Sequence, residues 1–111
     1  MREFSVPLNV EVPTTGNLTD DVVSNAHEAP DTVAFSRRTG TEWSVVTAQE
    51  FLDEVRAVAK GLVAAGLQPG ERVALISKTR YEWTLVDYAI WFAGLVTVPV
   101  YETSSAEQVE W

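Results

Sequence analysis

The spacing of apolar residues changes along the chain, and each spacing predicts a different element. From Phe51 onward apolar residues recur at intervals of three and four, which is typical of an amphipathic helix. Glu50, Asp53, Glu54 and Lys60 fall on its other, charged side. The predicted buried face consists of Phe51, Val55, Val58, Ala59, Leu62 and Val63. Gly66 is the predicted end of this helix.

Short apolar runs further along predict strands. Val73–Ile76 is a continuous apolar run after the Pro69-Gly70 turn, typical of a strand that is buried on both faces of a parallel sheet. Val96–Val100 predicts a second strand, although Pro99 removes one ladder donor and favours a strand end or sheet edge. The two runs therefore predict a parallel pair joined by a helical crossover.

The helix predicted between these strands, from Arg80 to about Ala93, is apolar almost all the way round. A helix that covers one sheet face normally keeps a polar side, so we expect this one to need covering elements that the chain does not supply. The alternative is that Tyr88 and the tryptophans present their polar tips to water. Gly94 is the predicted helix end.

Three segments show the spacing of a capping box, in which a hydroxyl and a side chain three residues later satisfy each other's backbone N–H groups. This predicts a regular series of helix starts. The pairs are Thr47 with Glu50, Thr79 with Glu82, and either Ser104 with Glu107 or Ser105 with Gln108.

The first forty-odd residues predict three smaller features. Phe4 to Val12, bounded by prolines, predicts an N-terminal arm or an edge strand. Thr19 is a predicted cap for a short helix through Ala29. Val33–Arg37 and Trp43–Val46 flank a Thr39-Gly40 turn and predict a β-hairpin. The fold class is therefore α/β, a β-α-β-α pattern preceded by an arm and a hairpin.

Composition narrows the classes of partner. Acidic residues outnumber basic residues 16 to 8, and the resulting charge of −8 repels nucleic acid and anionic lipid. The chain has no cysteine, so thiolate metal sites and disulfides are excluded within it. Its first residues do not resemble a secretory signal, and the longest apolar stretch, Tyr88 to Val100, is too short to span a membrane. We expect a soluble, cytoplasmic protein.

Two polar segments lie where ligands bind in open α/β sheets, just beyond the predicted strands. Ser77-Lys78-Thr79 is a candidate anion site, with helix capping by Thr79 as the competing explanation. Thr103-Ser104-Ser105 is open to the same two interpretations. The six glycines are too dispersed to form a phosphate-binding loop.

The remaining chemistry-bearing residues favour structural roles. His27 is the single histidine, which excludes a histidine metal cluster or a serine triad within the chain, and we expect it on the surface of the first helix. Glu50, Asp53 and Glu54 are expected on a solvated helix face. Arg37-Arg38 is expected at a solvent-facing end of the hairpin.

The segments PGERVALIS, YEW and VPVYETSSAEQ are the most distinctive part of a close resemblance between residues 17–111 and the N-terminal region of long-chain fatty acid–CoA ligases, which belong to the adenylate-forming, AMP-binding superfamily. We expect residues 1–16 to form the N-terminal arm, and the resemblance implies that residues 17–111 form the beginning of the large adenylation domain. It implies an enzyme that joins a fatty acid to CoA through an acyl-adenylate, with ATP, CoA and Mg²⁺ used by the full-length protein.

Members of this superfamily hold phosphates on a Ser/Thr/Gly-rich loop with a lysine and use a catalytic lysine from a mobile C-terminal domain. Neither feature is found in this sequence, so no catalytic, cofactor-binding or metal-binding residue is carried over by position. We expect the chain alone to be inactive and to bind none of these cofactors. The expected partners are the fatty acid substrate and the remainder of the adenylation domain, with a homodimer and peripheral membrane association of the full-length protein as further expectations.

Two alternatives stay open. The first is a stand-alone α/β binding or regulatory module, which predicts a monomer with a cooperative unfolding transition. A severed piece predicts exposed apolar surface, dye binding and self-association instead. The second is another adenylate-forming enzyme with a different carboxylate substrate.

Overall fold

The structure is a computed structural model that describes residues 2–7, 9–10 and 13–110. Its elements follow the predicted α/β order, in which a short helix, the hairpin and a long helix precede the β-α-β-α pattern. They are α1 (Asp20–Glu28), β1 (Val33–Thr39), β2 (Glu42–Thr47), α2 (Ala48–Ala64), β3 (Arg72–Ile76), α3 (Tyr81–Phe92), β4 (Val96–Val100) and α4 (Ala106–Glu110).

The N-terminal segment carries no strand in the residues that the structure describes, so the edge-strand alternative finds no support there. Phe4 is 90% exposed, as expected of an arm that does not pack on the body. Leu8, Glu11 and Val12 of the predicted segment lie outside the described residues. The division of the chain after residue 16 stays a prediction.

Helix α1 forms as predicted, but its cap does not. Thr19 occupies the N-cap position without capping the helix through its side chain. Its backbone has φ −81° and ψ −16°, which is already helical, whereas a capping residue is normally extended. The Thr19 hydroxyl instead donates to Asn17 Oδ1, and the Asn17 N–H donates to Asp20 Oδ2 at 2.9 Å. The helix start is therefore held by Asn17 and Asp20.

The hairpin is confirmed, with strands slightly longer than predicted. Strands β1 and β2 pair antiparallel from Val33 and Thr47 to Thr39 and Glu42, with one irregularity between Val33 and Phe35. Gly40 has φ +64°, the left-handed conformation that the turn requires.

Helix α2 begins with the predicted capping box. The Glu50 N–H donates to Thr47 Oγ1 at 3.2 Å, and the Thr47 N–H donates to Glu50 Oε2 at 2.8 Å. The helix runs to Ala64, and Gly66 follows it as expected.

The core lies between α1, the inner face of the hairpin, α2 and α3. Four aromatic rings form its centre, namely those of Phe35, Phe51, Tyr81 and Tyr88. The Phe35 and Phe51 centroids are 4.7 Å apart, and Tyr88 lies edge-on to Phe51 at 5.6 Å. The buried members are Val22, Ala26, Val46, Phe51, Leu52, Val55, Ala59, Leu85 and Ala89. Leu52 was missed by the periodicity because α1 also packs on α2 and widens its buried face. Val63 was assigned to this face wrongly, since it is 57% exposed.

Strands β3 and β4 form the predicted parallel pair, in register from Arg72 with Val96 to Ile76 with Val100. The prediction that β3 is buried on both faces is wrong. Within the described residues this sheet has two strands, and Val73 and Leu75 on one face are half-buried whereas Ile76 on the other is 58% exposed. The uncovered face of the pair, which we call the open sheet face, consists of Ala74, Ile76, Val96 and Val98.

The expectation that α3 lacks cover within this chain is also wrong. Helix α3 packs against α2 on one side and against the parallel pair on the other. Every residue from Tyr81 to Phe92 is buried or half-buried as a result. Its all-round apolar character reflects this central position, and the uncovered apolar surface lies instead on the open sheet face.

Candidate functional site

A cleft of about 420 Å³ opens at the carboxyl ends of β3 and β4, the edge where open α/β sheets bind ligands. We call it the strand-end cleft. It forms because β3 and β4 run parallel, so the loops that leave them emerge side by side. The lining residues are Ser77, Lys78, Thr79, Trp83, Pro99, Val100, Tyr101, Glu102 and Thr103.

The structure brings the two predicted polar segments together in part. All of Ser77-Lys78-Thr79 lines the strand-end cleft, whereas only Thr103 does so from the second segment. Ser105 instead forms the third capping box, in which its N–H donates to Gln108 Oε1 at 2.8 Å and its hydroxyl accepts from the Gln108 N–H at 3.3 Å. Of the two alternatives offered for that box, the structure therefore selects Ser105 with Gln108.

Thr79 does not act as a helix cap, contrary to the competing explanation for the first segment. The N-cap position of α3 is Arg80, and no side chain caps this helix. Glu82 is turned away from the backbone of Thr79 because it accepts hydrogen bonds from two arginines. The Thr79 hydroxyl thus lies at the cleft without a capping role.

The walls of the strand-end cleft differ in chemistry. Ser77 donates its hydroxyl hydrogen to the carbonyl of Lys78 at 3.1 Å, so its oxygen remains an acceptor. Lys78 and Glu102 are both exposed and contribute opposite charges. Trp83, Pro99 and Val100 supply apolar surface. The arrangement suits a ligand with a polar end and an apolar end rather than a highly charged anion.

A polar network at the start of α3 joins three elements and was missed by sequence reasoning. Arg37 of β1 donates to Glu82 Oε1 at 2.8 Å, and its guanidinium carbon lies 5.0 Å from the centre of the Tyr81 ring. Arg37 was expected to be solvent-facing. It is instead bound to α3, because the hairpin packs on the first turn of that helix.

The charges of this network shift two pKa values. The hydrogen bond from Arg80 is the main cause that lowers the pKa of Glu82 to about 2. Burial raises the pKa of Tyr81, and the hydrogen bond that Tyr81 donates to Glu54 at 2.8 Å adds to the effect. Glu54 was expected on a solvated face, but this bond to α3 leaves it half-buried.

The single histidine lies where the sequence predicted it. His27 is exposed on α1. Across the described ranges, residues 2–7, 9–10 and 13–110, no group of His, Cys, Asp or Glu side chains is arranged to hold a metal ion. No helix among these residues is both long and apolar enough to cross a bilayer.

Comparison with known proteins decides the family. The profile of the AMP-binding enzymes matches residues 22–111. This chain belongs to that family. Over 111 residues it is 46% identical to proteins named long-chain-fatty-acid–CoA ligase FadD15 from Mycobacterium bovis and Mycobacterium tuberculosis. The match covers 100% of this chain and 18% of each ligase, so the chain spans less than a fifth of these relatives.

Solved structures agree on the fold. IdnL1 superposes with a TM-score of 0.76 at 27% identity, covering 83% of this chain and 19% of that one. The N-terminal subdomain of NpsA from Klebsiella oxytoca, in complex with 3-hydroxyanthranilyl-AMSN, gives a TM-score of 0.73 at 24% identity, over 84% of this chain and 23% of that one. The α/β architecture described above is therefore shared with part of each of these structures.

The lining of the strand-end cleft does not fit a nucleoside triphosphate. One lysine and one glutamate line it, and its loops lack the clustered glycines whose backbone N–H groups bind phosphates. That this chain alone binds none of ATP, CoA and Mg²⁺ stays a prediction.

Proposed function

We propose that this chain is the first part of the large domain of an ATP-dependent long-chain fatty acid–CoA ligase. The full-length protein would convert fatty acid, ATP and CoA into acyl-CoA, AMP and pyrophosphate through an acyl-adenylate, in the presence of Mg²⁺. The observation that carries this proposal is the 46% identity to two such ligases over all 111 residues. In that protein these residues supply scaffold, and the strand-end cleft borders whatever the later segments bind.

A segment exchange tests the proposal directly. Residues 1–111 would replace the segment of the Mycobacterium FadD15 ligase that aligns with them. That alignment runs over 111 residues and covers all of this chain. We expect the chimera to keep palmitate-dependent exchange of pyrophosphate into ATP and formation of palmitoyl-CoA. A chimera that folds, as judged by circular dichroism and a single elution peak, but has lost both activities would refute the proposal.

The isolated chain is proposed to be inactive, because catalysis of adenylate transfer needs positioned groups that stabilise the transferring phosphoryl charge. Incubation of the 111-residue chain with ATP, Mg²⁺, palmitate and CoA should give no pyrophosphate exchange above a heat-treated sample. Turnover by the isolated chain would contradict this part of the proposal.

The substrate and the surroundings of the full-length protein are part of the same proposal. We propose a long-chain fatty acid as the substrate, which the names of the relatives support. We also propose that the full-length protein is cytoplasmic, forms a homodimer and makes peripheral contact with membranes. Activity of the full-length protein that contains this chain with a series of carboxylates from acetate to palmitate distinguishes this substrate from the carboxylates of other adenylate-forming enzymes.

A further inference from the structure

A second groove lies between α2 and α3, on residues to which the proposed function gives no role. One wall is a stripe on α2 at helical spacing, and the other is the end of α3 at Phe92 and Ala93. The stripe contains Ala59, Val63 and Ala64, with Arg56 and Lys60 beside them. We call this the α2–α3 groove, and its volume is about 630 Å³.

The groove combines an apolar floor with two positive charges at its side. Arg56 and Lys60 are four residues apart on one helix, so their side chains project from the same face. Both are exposed, and neither takes part in an ion pair within the described residues. Two of the chain's eight basic residues thus lie side by side at this groove, in a protein whose net charge is −8.

This pairing of charges restricts what the groove can hold. The acidic surface elsewhere repels anions, whereas Arg56 and Lys60 attract one to the side of the groove. An arginine guanidinium binds a carboxylate through two parallel hydrogen bonds, and the lysine ammonium adds a point charge. The apolar floor beyond them suits an unbranched hydrocarbon chain, and the volume falls within the range of about 300–1,000 Å³ that is usual for small-molecule sites.

We propose that the α2–α3 groove is a binding site for a single-chain carboxylate, with the carboxylate at Arg56 and Lys60 and the chain along Val63, Ala64 and Phe92. Binding there requires neither ATP nor CoA, so its failure would leave the ligase proposal untouched, and failure of the segment exchange would leave this one untouched.

The experiment is titration calorimetry of the 111-residue chain with decanoate below its micelle-forming concentration, with decan-1-ol and acetate as the neutral and chainless comparisons. We expect saturable binding of one decanoate and weaker binding of both comparisons. Arg56→Gln with Lys60→Gln should weaken decanoate binding about three- to tenfold, the size expected for losing two exposed charge contacts. Arg2→Gln with Arg72→Gln makes the same change in net charge at residues that do not line the groove, and it should leave binding unchanged.

The apolar part is tested by Val63→Ser, which changes an exposed floor residue without adding a charge or opening the core. Val109→Ser is its matched control, since Val109 is 52% exposed on α4 and Val63 is 57% exposed. Decanoate binding should fall only in the first variant, and amide shifts on titration should map to residues 56–64 and 92–93. The proposal would be overturned if decan-1-ol bound as tightly as decanoate, or if each control variant weakened binding as much as its groove variant. Amide shifts confined to residues outside the groove would also overturn it.

Discussion

Tyr81 donates its phenolic hydrogen to Glu54 Oε2 at 2.8 Å and so ties the first turn of α3 to the middle of α2. The Tyr81 ring also packs edge-on against Phe35 and Phe51, with centroids 5.4 and 6.2 Å away. One side chain therefore contributes both to the aromatic core and to the polar network above it.

Tyr81→Phe should lower the free energy of unfolding by about 1 kcal/mol, because it removes this hydrogen bond and leaves the half-buried Glu54 carboxylate without the donor. Urea unfolding followed by circular dichroism measures the change. Tyr101→Phe is the control, since Tyr101 is 84% exposed, and it should be neutral. An equal loss in both variants would show that the bond to Glu54 contributes nothing.

Acid should weaken the protein through Glu82. Its pKa is lowered from 4.5 to about 2, so the folded state binds this proton less tightly than the unfolded state does. The resulting stabilisation is fully present above pH 4.5 and is lost as the pH falls towards 2. Glu82→Gln should therefore be less stable than the parent at pH 6, and the gap should close by pH 2. Glu42→Gln serves as the matched control, and a gap that does not change with pH would contradict the assignment.

Two threonines with the same sequence signature should behave differently. Thr47→Ala removes a formed cap and should cost about 1 kcal/mol of unfolding free energy. Thr79→Ala should be nearly neutral, because Thr79 caps nothing. Thermal unfolding of the two variants measures both values, and a larger effect at Thr79 would mean that the α3 start differs from the one described.

A pair of isoleucine substitutions locates the covered and uncovered apolar surface. Ile90 on α3 is fully buried, so Ile90→Ala should cost about 2–5 kcal/mol. Ile76 on the open sheet face is 58% exposed, so Ile76→Ala should change stability by less than about 0.5 kcal/mol. Ile76→Ala should also reduce binding of an apolar dye. Comparable destabilisation by the two variants would argue that the open sheet face is covered in solution.

Much of the fold could be predicted because the governing interactions are local. The Thr47–Glu50 and Ser105–Gln108 boxes span three residues each, and Gly40 and Gly66 mark turns that single residues specify. Each of these features depends on the sequence within one turn of chain.

The errors arose where a residue or helix contacts a partner that is distant in the sequence, although local spacing suggested a nearby partner or none. Glu82 has the spacing of a cap for Thr79, yet it binds Arg37, which lies 45 residues earlier. Helix α3 has the composition of a helix lacking cover, yet α2 and the parallel pair enclose it. Neither outcome is encoded in the spacing of apolar residues, because both depend on how α2 and the hairpin are placed in space.

Only part of the strand-end cleft could be predicted from the sequence. The positions of Ser77–Thr79 and Thr103 beyond parallel strands predicted a shared edge, and the structure places them in one cleft. The α2–α3 groove gave no such signal, because Arg56 and Lys60 are ordinary exposed residues on a helix until Phe92 is brought beside them.

The parallel register of β3 and β4 has a consequence for the order of assembly. The two strands of the hairpin are adjacent in the chain and can pair as soon as both have been synthesised, whereas the whole of α3 separates Arg72 from Val96 in the chain. In a nascent chain, β3 would lack its β4 neighbour until both α3 and β4 had left the ribosome. Refolding should accordingly be slowest at the parallel pair, with hydrogen-exchange protection of the hairpin appearing first.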